Sequence, residues 1–385
     1  MYKINEIIAD RFLSNMEIAI HYVNGETDTF VLEPVESNGS VSWSAKNDNV
    51  DLSIRAVGDN SGVVYYIDVV SALPLVQRGV TWDTNIDFAD DTLAWFNTFM
   101  WWFSPSWLKK GDSFVEKTQH FMFRLNNEHL AVTGLLGDVF RCEATGKNLY
   151  LDSGRHTYTE LHGPFIAAAI ADHPDKAMKN AYAKAKSTNA IDICMREERE
   201  FPSMFENFGW CTWDAFYHDV TADKIYQKLD EFKEKNIPVK WMLIDDGWCY
   251  TNNKKMCSMD VEYQKFPNGL KACIDKIKNE YGVEYVGVWH TISGYWDGVH
   301  TGSQLARDYA DALIKYGKNG KLSPCLDEDR AFRFWDDFHG FLASSGVDFV
   351  KVDNQSSTNS FVINVTSPVA GARILHRTLG NSSYI

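Results

Sequence analysis

The chain has 385 residues and is acidic, with 52 Asp and Glu against 38 Lys and Arg and a formal net charge of −14. This charge disfavours nucleic acid as a partner, because binding phosphate requires a concentrated positive face. Aromatic residues make up 14% of the chain and include 13 Trp, which is compatible with flat surfaces that stack against a neutral, polar ligand such as a sugar.

The N-terminal segment and the cysteines favour a cytoplasmic protein. The start of the chain lacks the basic region and unbroken apolar run of a secretory signal. No stretch approaches the ~18 consecutive apolar residues of a membrane span, so we expect no membrane partner. The seven cysteines contain no Cys-x-x-Cys pair and are typical of reduced thiols rather than of a disulfide framework or a zinc site. The sequence predicts no cofactor.

Residues 1–175 predict an antiparallel β-sandwich domain. Short segments rich in β-branched and aromatic residues recur between Gly, Asn and Asp, which is typical of a sandwich. The clearest of them are "MEIAIHYV", "VSWSAK", "VDLSIRAV", "GVVYYIDVV", "QHFMFRL" and "HLAVTGLL". A helical pattern follows at about 174–188, and we interpret 176–204 as a helical linker.

Residues 205–385 alternate between short apolar runs and helical patterns. This alternation favours parallel βαβ units. The predicted strands lie within "NFGWCTW", "VKWMLIDDG", "EYVGVWH" and "VDFVKVDN". The predicted helices are at 222–235, 270–280, 304–315 and 331–344, with a further one from about 368 to the end of the chain.

The second region predicts about four βα units, whereas a (β/α)8 TIM barrel has eight and needs at least about 200 residues. A half-barrel would leave two sheet edges unpaired. We therefore expect the first half of a barrel that belongs to a longer chain or is completed by another chain, so a homo-oligomer is possible.

The stretch "DFVKVDNQSS" places a lysine inside an apolar strand and a carboxylate at its end. A charge in a buried strand costs several kcal/mol unless it is paired or faces a polar cavity. Lys351 and Asp353 are two residues apart and project from the same face. They form either an ion pair that supports the sheet or the floor of an active site, and this stretch alone favours neither.

Asp245 and Asp246 end another predicted strand. Carboxylates accept several hydrogen bonds and suit sugar hydroxyls. Adjacent strand residues point to opposite faces, so both reach one ligand only if Asp246 lies on the following turn. The alternatives are an Asp-Gly turn with a capping carboxylate and a divalent-cation site, for which we find no further clustered ligands.

Tryptophans also cluster at the predicted strand ends. Trp213 and Trp289 are candidates for stacking on a sugar, against the alternative that both are core residues. Asp214 either binds sugar or caps the following segment. His290 and Cys211 are expected to be packed structural residues.

Five motifs resemble glycoside hydrolase family 36 and, within it, the branch of raffinose synthases, seed imbibition proteins and alkaline α-galactosidases. They are "FGWCTWDAFY" (208–217), "LIDDGW" (243–248), "KFPNGLK" (265–271), "VGVWHTISGYWDGV" (286–299) and "VKVDNQ" (350–355). The segments "MWWFSPSW" (100–107) and "EKTQHFMFRL" (116–125) resemble the N-terminal domain of that branch.

The resemblance implies a fold of mixed class, with an N-terminal β-supersandwich before the barrel, and a retaining enzyme that acts on α-galactoside oligosaccharides. Asp353 would be the nucleophile that forms a covalent galactosyl intermediate. Lys351, Asp245 and Asp246 would bind sugar hydroxyls, and Trp289 would wall the sugar subsite. The family's acid/base aspartate belongs to a later strand, so we expect no position of this chain to carry it.

Two functions from different classes follow. The first is an α-galactosidase or a galactosyltransferase of the raffinose synthase type, which share the first half-reaction; hydrolysis is the simpler expectation. The alternative is a non-catalytic sugar-binding fragment or degenerate paralogue, because the recognition residues are present without the acid.

Overall fold

The computed structural model describes residues 3–37, 40–98, 102–317 and 320–382. The chain divides into two compact units. The first is Met1–Glu198 with Thr366–Ala370, and the second is Arg199–Val365 with Gly371–Ile385. Of the motif at 100–107, Met100 and Trp101 lie outside the described residues. Within the described ranges, every helix is too short or too polar to cross a bilayer.

The first unit contains a large antiparallel sheet. Its strands are β1 (Glu17–Tyr22), β2 (Thr27–Val31), β3 (Val35–Ser37), β4 (Ser40–Lys46), β5 (Val50–Asp59), β6 (Gly62–Ser71), β7 (Leu75–Asp83), β8 (Asp91–Thr98), β9 (Trp102–Leu108), β10 (Phe114–Leu125), β11 (Glu128–Gly134), β12 (Arg141–Gly146), β13 (Asn148–Asp152) and β14 (Glu160–Ala171). The hydrogen-bonded order is β2-β1-β7-β13-β12-β10-β11-β14-β6-β5-β4-β3, with β8 between β10 and β9. The prediction of an antiparallel β unit is confirmed.

Alternation of side chains explains why strands such as β5 bury one face. In β5 the residues alternate between buried and exposed from Val50 to Ala56, as the period of two in a strand requires. The buried faces meet in one core as the sheet curls, and Trp82 stacks on Phe165 with ring centroids 5.0 Å apart. Large aromatic rings therefore fill the interior.

The described residues of the first unit include the α-helices α1 (Lys3–Glu6) and α2 (Pro174–Ser187). The proline at the start of α2 fits a position whose amide has no helical partner. Three alanines spaced four residues apart, Ala177, Ala181 and Ala185, are buried, and the helix contacts β14, β11 and β6. The segment interpreted from sequence as the start of a linker is a helix packed on the sheet.

The second unit contains a four-stranded parallel sheet with helices along its connections. Its strands are β15 (Gly209–Cys211), β16 (Trp241–Ile244), β19 (Tyr285–Thr291) and β22 (Phe349–Asp353), in this order across the sheet. Two antiparallel pairs lie in the connections: β17 (Cys249–Asn252) with β18 (Lys255–Val261), and β20 (Leu313–Lys315) with β21 (Leu322–Pro324). The helices are α3 (Trp213–Phe216), α4 (Ala222–Glu234), α5 (Gly269–Tyr281), α6 (Gln304–Asp308), α7 (Glu328–Ser344), α8 (Thr358–Val362) and α9 (Pro368–Gly380), of which the part from Gly371 belongs to this unit.

The prediction of one helix over 304–315 is wrong beyond residue 308. The helix α6 ends at Asp308, and Leu313–Lys315 form β20. The ring of Tyr309 packs against Phe334 at 5.3 Å, and the chain then turns so that β20 pairs with β21. This tertiary packing overrides the local helical pattern.

The parallel sheet brings the carboxyl ends of its strands to one edge. Trp289 is in register with Lys351 on the neighbouring strand, and Thr291 is in register with Asp353. Asp245 directly follows β16, whose residue Ile244 is in register with Val288. The predicted site residues of three strands therefore lie next to one another.

Candidate active site

Lys351 and Asp245 form an ion pair at the carboxyl edge of the parallel sheet. The Nζ atom of Lys351 donates to Oδ2 of Asp245 at 2.8 Å. The carboxylate is buried, with 3% of its side chain exposed, whereas 46% of the lysine side chain is exposed. The thiol of Cys211 donates to the same Oδ2 atom at 3.3 Å. The lysine thus neutralises a buried acid and still presents its ammonium group to solvent.

The pair also determines the protonation of Lys351. Burial by itself lowers the pKa of this lysine, but the hydrogen bond and charge of Asp245 raise it, and Cys211 and Asp353 add smaller contributions in the same direction. The net result is a pKa above the usual value. Lys351 is therefore a permanent cation beside Asp353.

Asp353 ends β22 and is held by two hydrogen bonds. The indole Nε1 of Trp289 donates to Oδ2 at 3.0 Å, and the backbone amide of Asn354 donates to Oδ1 at 2.6 Å. Asn354 has a φ of 61°, a left-handed conformation that asparagine tolerates better than most residues. Both donors fix the orientation of the carboxylate, which remains partly exposed.

Asp246 lies on the turn after β16 and is almost completely buried, with 1% exposure. Its Oδ2 accepts from Nε1 of Trp296 at 2.7 Å and lies 3.1 Å from Nε2 of His218. Its Oδ1 accepts from the hydroxyl of Tyr295. An ionised carboxylate has about four acceptor positions, so most of them are used within the protein. Asp246 organises the surrounding loops rather than presenting a free carboxylate.

The backbone at Gly247 explains why the "DDGW" motif requires a glycine. Its φ is +118°, and a Cβ atom would lie 2.6 Å from the backbone oxygen of His218. Only glycine adopts this conformation without strain and allows that approach. The turn that buries Asp246 therefore requires a residue without a side chain.

Trp213 and Asp214 begin the short helix α3 and lie in different environments. The ring of Trp213 is half-buried and contacts His218 edge-on, with centroids 5.1 Å apart. Trp213 also lines a cavity together with Tyr295 and Trp296. Asp214 is exposed, and no side-chain contact of the described residues ties it to the cluster around Asp353.

His290 is buried beside a second histidine. Its Nε2 atom lies 3.2 Å from Nε2 of His339, and its ring stacks on Trp335 at 5.4 Å. Burial and the neighbouring histidine lower the pKa of His290 to about 3. His290 is therefore neutral and packs against residues of α7.

The sequence patterns assigned no role to His218, Tyr295 or Trp296, which hold Asp246. Tyr295 and Trp296 lie within the motif at 286–299, so a signal was available. His218 follows the motif at 208–217 by one residue and has no distinguishing pattern. Across the described ranges, three or more His, Cys, Asp or Glu side chains nowhere cluster in a way that could hold a metal ion.

A family model described as "Raffinose synthase or seed imbibition protein Sip1" matches residues 88–266 and 252–384. These ranges contain the four candidate strand ends. The chain belongs to this family. The resemblance drawn from the five motifs is confirmed.

Relatives of this chain within the raffinose synthase family include plant proteins. It is 27% identical over 322 residues to "Probable galactinol--sucrose galactosyltransferase 1" of Arabidopsis thaliana, covering 68% of this chain and 43% of that protein. It is 29% identical over 167 residues to "Stachyose synthase" of Pisum sativum, covering 41% and 19%. The chain spans less than half the length of these curated relatives.

Solved structures support the fold of this family member. An α-galactosidase from Lactobacillus brevis superposes with a TM-score of 0.52 at 11% identity, covering 94% of this chain and 57% of that one. An α-N-acetylgalactosaminidase from Bifidobacterium bifidum gives a TM-score of 0.51 at 12% identity, covering 90% and 66%. The arrangement of an antiparallel β unit followed by parallel βα units is thus shared with glycosidases.

Proposed function

We propose that this chain carries the sugar-binding and nucleophile half of an active site that processes α-galactosides with retention of configuration. The observation that carries the proposal is the surroundings of Asp353. Its carboxylate ends a parallel strand, remains partly exposed, and is held by the indole of Trp289. The Lys351–Asp245 pair lies on the same edge.

In the proposed reaction, an oxygen of Asp353 attacks the anomeric carbon of the galactosyl group. The bond from that carbon to the leaving oxygen breaks, and the leaving oxygen takes a proton from a carboxylic acid about 5–5.5 Å from the nucleophile. The chain's own residues prepare the first step. Trp289 and the amide of Asn354 orient the carboxylate. We assign the acid to no residue of this chain.

Lys351 and Asp245 suit recognition of the sugar. The ammonium group donates and the carboxylate accepts, so together they can hold neighbouring hydroxyls. Trp289 would supply an apolar surface beside the bound ring. We further propose that the parallel sheet and its helices are the first four βα units of a (β/α)8 barrel, in which catalytic residues lie at the carboxyl ends of strands.

The second half-reaction decides between hydrolysis and transfer. Water or a sugar hydroxyl attacks the anomeric carbon of the galactosyl–Asp353 ester and gives its proton to the base left when the acid donated its own. The bond from that carbon to Asp353 breaks and releases the carboxylate. Several relatives carry names of galactosyltransferases that use galactinol and sucrose, which favours a sugar acceptor. The proposal for Asp353 covers both outcomes because the intermediate is the same.

The test is mass spectrometry of the chain after incubation with α-galactosyl fluoride. Fluoride leaves without acid assistance, so the experiment isolates the nucleophile. We expect a galactosyl adduct on a peptide that contains Asp353, absent in Asp353→Asn and present in Asp348→Asn, a carboxylate at the opposite end of the same strand. Saturable galactose binding without an adduct would overturn the catalytic role and favour a sugar-binding protein.

A further inference from the structure

Asn354, the residue after the proposed nucleophile, combines an unusual backbone conformation with a buried side chain. Its φ is 61° and its ψ is 20°, a left-handed conformation that is uncommon for a residue with a Cβ atom. Only 7% of the residue is exposed. Residues in such conformations persist when their surroundings hold them, and they concentrate at functional sites. The contacts of Asn354 therefore indicate what this turn does.

The peptide group between Asp353 and Asn354 carries a donor to the carboxylate. Its N–H donates to Oδ1 of Asp353 at 2.6 Å. Its C=O accepts from the backbone N–H of Ile292, in the loop after β19, at 3.0 Å. Because a peptide group is planar, holding this oxygen and the Cα atom of Asn354 also fixes the direction of the N–H. The orientation of the carboxylate therefore depends on what holds Asn354.

Two buried serines bind the two ends of the Asn354 amide. Its Nδ2 atom donates to Oγ of Ser293 at 3.3 Å. Its Oδ1 atom accepts from Oγ of Ser357, which also lies 2.9 Å from the backbone oxygen of Asn354. Asparagine has donors at one end of its amide and an acceptor at the other. It thus joins the loop after β19 to the turn after β22.

Ser293 is a fixed anchor because every position of its hydroxyl is used. The hydroxyl donates to the backbone oxygen of Tyr295 at 2.8 Å and lies 3.2 Å from the hydroxyl of Thr291. A serine hydroxyl has one donor and two acceptor positions, and Asn354 occupies the third. The backbone oxygen of Ser293 also accepts from the hydroxyl of Ser323 at 3.0 Å. A buried network in which each member is hydrogen-bonded is rigid.

We propose that Ser293, Ser357 and the side chain of Asn354 are positioning residues, which set the direction of the Asp353 carboxylate. All three are buried, so they act through the peptide group and not by contact with the sugar. This inference rests on the proposed function, because it assigns how the same nucleophile is held. Misplacing a reacting group by about 1 Å can slow a reaction about 100-fold, so loosening this network should slow the attack and leave sugar binding intact.

The rate of adduct formation, measured on the full chain against the concentration of α-galactosyl fluoride, separates positioning from binding. Asn354→Gly keeps the backbone amide and permits the left-handed conformation, but it removes both side-chain contacts. Ser357→Ala removes one contact, whereas Ser357→Thr keeps the hydroxyl. We expect the maximal rate to fall about tenfold in Asn354→Gly and about threefold in Ser357→Ala, and to stay within about twofold of the wild type in Ser357→Thr. The concentration that gives half the maximal rate should change less than about twofold in all three, because the sugar-binding groups are untouched.

Two controls separate positioning from a general loss of stability. Ser356→Ala changes the exposed serine next to Ser357. Thr378→Val removes a buried hydroxyl that donates to the backbone oxygen of Leu375 in α9, and urea unfolding reports the stability of each variant. Both controls should keep the maximal rate within about twofold of the wild type. A wild-type rate in Asn354→Gly, or an equal fall in Thr378→Val, would overturn the positioning role.

The NMR signal of the Asn354 backbone amide tests the inference without catalysis. In a chain labelled with 15N-asparagine, this signal is identified by its loss in Asn354→Gly, and Asp353→Asn shows where it moves without the carboxylate. We expect Ser293→Ala and Ser357→Ala to move it in the same direction, and Ser356→Ala to leave it in place. Such movement in a chain whose wild type forms no adduct would overturn the nucleophile and leave the positioning network standing. A signal that neither Ser293→Ala nor Ser357→Ala moves would overturn the network.

Discussion

The ammonium group of Lys351 lies 2.8 Å from the carboxylate of Asp245, although 106 positions separate the two residues in sequence. The contact joins the carboxyl end of β22 to the turn after β16, across the intervening strand β19. A buried carboxylate and a half-exposed ammonium group thus connect two strands of the parallel sheet, at the edge where we propose that sugar binds.

Replacing Lys351 with methionine should lower the free energy of unfolding. Breaking a buried ion pair costs about 3–5 kcal/mol because one charge loses its partner. The lysine is half exposed, so solvent reduces the expected loss to about 1–2 kcal/mol in the free energy of unfolding. Urea unfolding measures it.

The matched control is Lys240→Met. Lys240 pairs with Glu284 at 2.8 Å, and both side chains are substantially exposed. Such surface pairs contribute less than about 1 kcal/mol. Equal destabilisation by the two substitutions would mean that the burial of Asp245 does not matter.

Trp289→Phe should slow the formation of the galactosyl–Asp353 adduct while the chain stays folded. Phenylalanine keeps an aromatic ring but removes the Nε1–H that donates to Asp353. The indole N–H fixes the direction of the attacking carboxylate, and misplacing a reacting group by about 1 Å can slow a reaction about 100-fold. We therefore expect adduct formation to be about 10- to 100-fold slower.

The control for this substitution is Trp241→Phe, which removes an indole donor to the backbone oxygen of Asn207. That donor lies near the start of β16, away from Asp353. Adduct formation should remain within about twofold of the wild type. A similar loss in both variants would indicate a general effect on the sheet.

The parallel sheet could be predicted from sequence because strand-length apolar runs alternate with helical patterns, and polar residues follow each run. The nearness of Lys351 and Asp353 also followed from their spacing of two residues. The role of Asp246 could not be predicted. Its partners His218, Tyr295 and Trp296 come from loops before and after it, and which loop folds back onto a carboxylate depends on tertiary packing.

Asp246→Asn should loosen the wall of the cavity. The asparagine amide can face Tyr295 with its NH2 group and Trp296 with its oxygen, but the acceptor is then neutral. Hydrogen bonds to charged groups contribute about 1.5–3 kcal/mol and neutral ones about 0.5–1.5 kcal/mol, so urea unfolding should show a loss of about 2 kcal/mol. Asp275→Asn, which affects an exposed pair with Lys271, should change stability by less than about 0.5 kcal/mol. A loss of that small size in Asp246→Asn would refute its role as an anchor.

The buried histidine pair should make the protein less stable in mild acid. Burial and mutual repulsion lower the pKa of His290 to about 3, and burial lowers that of His339 to about 4, with Asp336 opposing the shift. In the unfolded chain both groups titrate near the ordinary value of about 6.5. The unfolded state therefore binds more protons between these values, so stability is complete above pH 6.5 and falls as the pH drops towards 4.

His339→Gln tests this pair because glutamine can still hydrogen-bond to His290 but does not titrate. Each buried neutral histidine contributes a slope of about 1.4 kcal/mol per pH unit below its unfolded pKa. Urea unfolding at pH 7, 6 and 5 should therefore show a shallower decline in the variant, by roughly 1.4 kcal/mol per unit at the acid end. Measuring above pH 5 keeps most carboxylates ionised in both states, so the difference reports the histidine. His173→Gln, at an exposed position, should retain the wild-type slope. Identical slopes in all three proteins would show that His339 is protonated in the folded chain as readily as in the unfolded one.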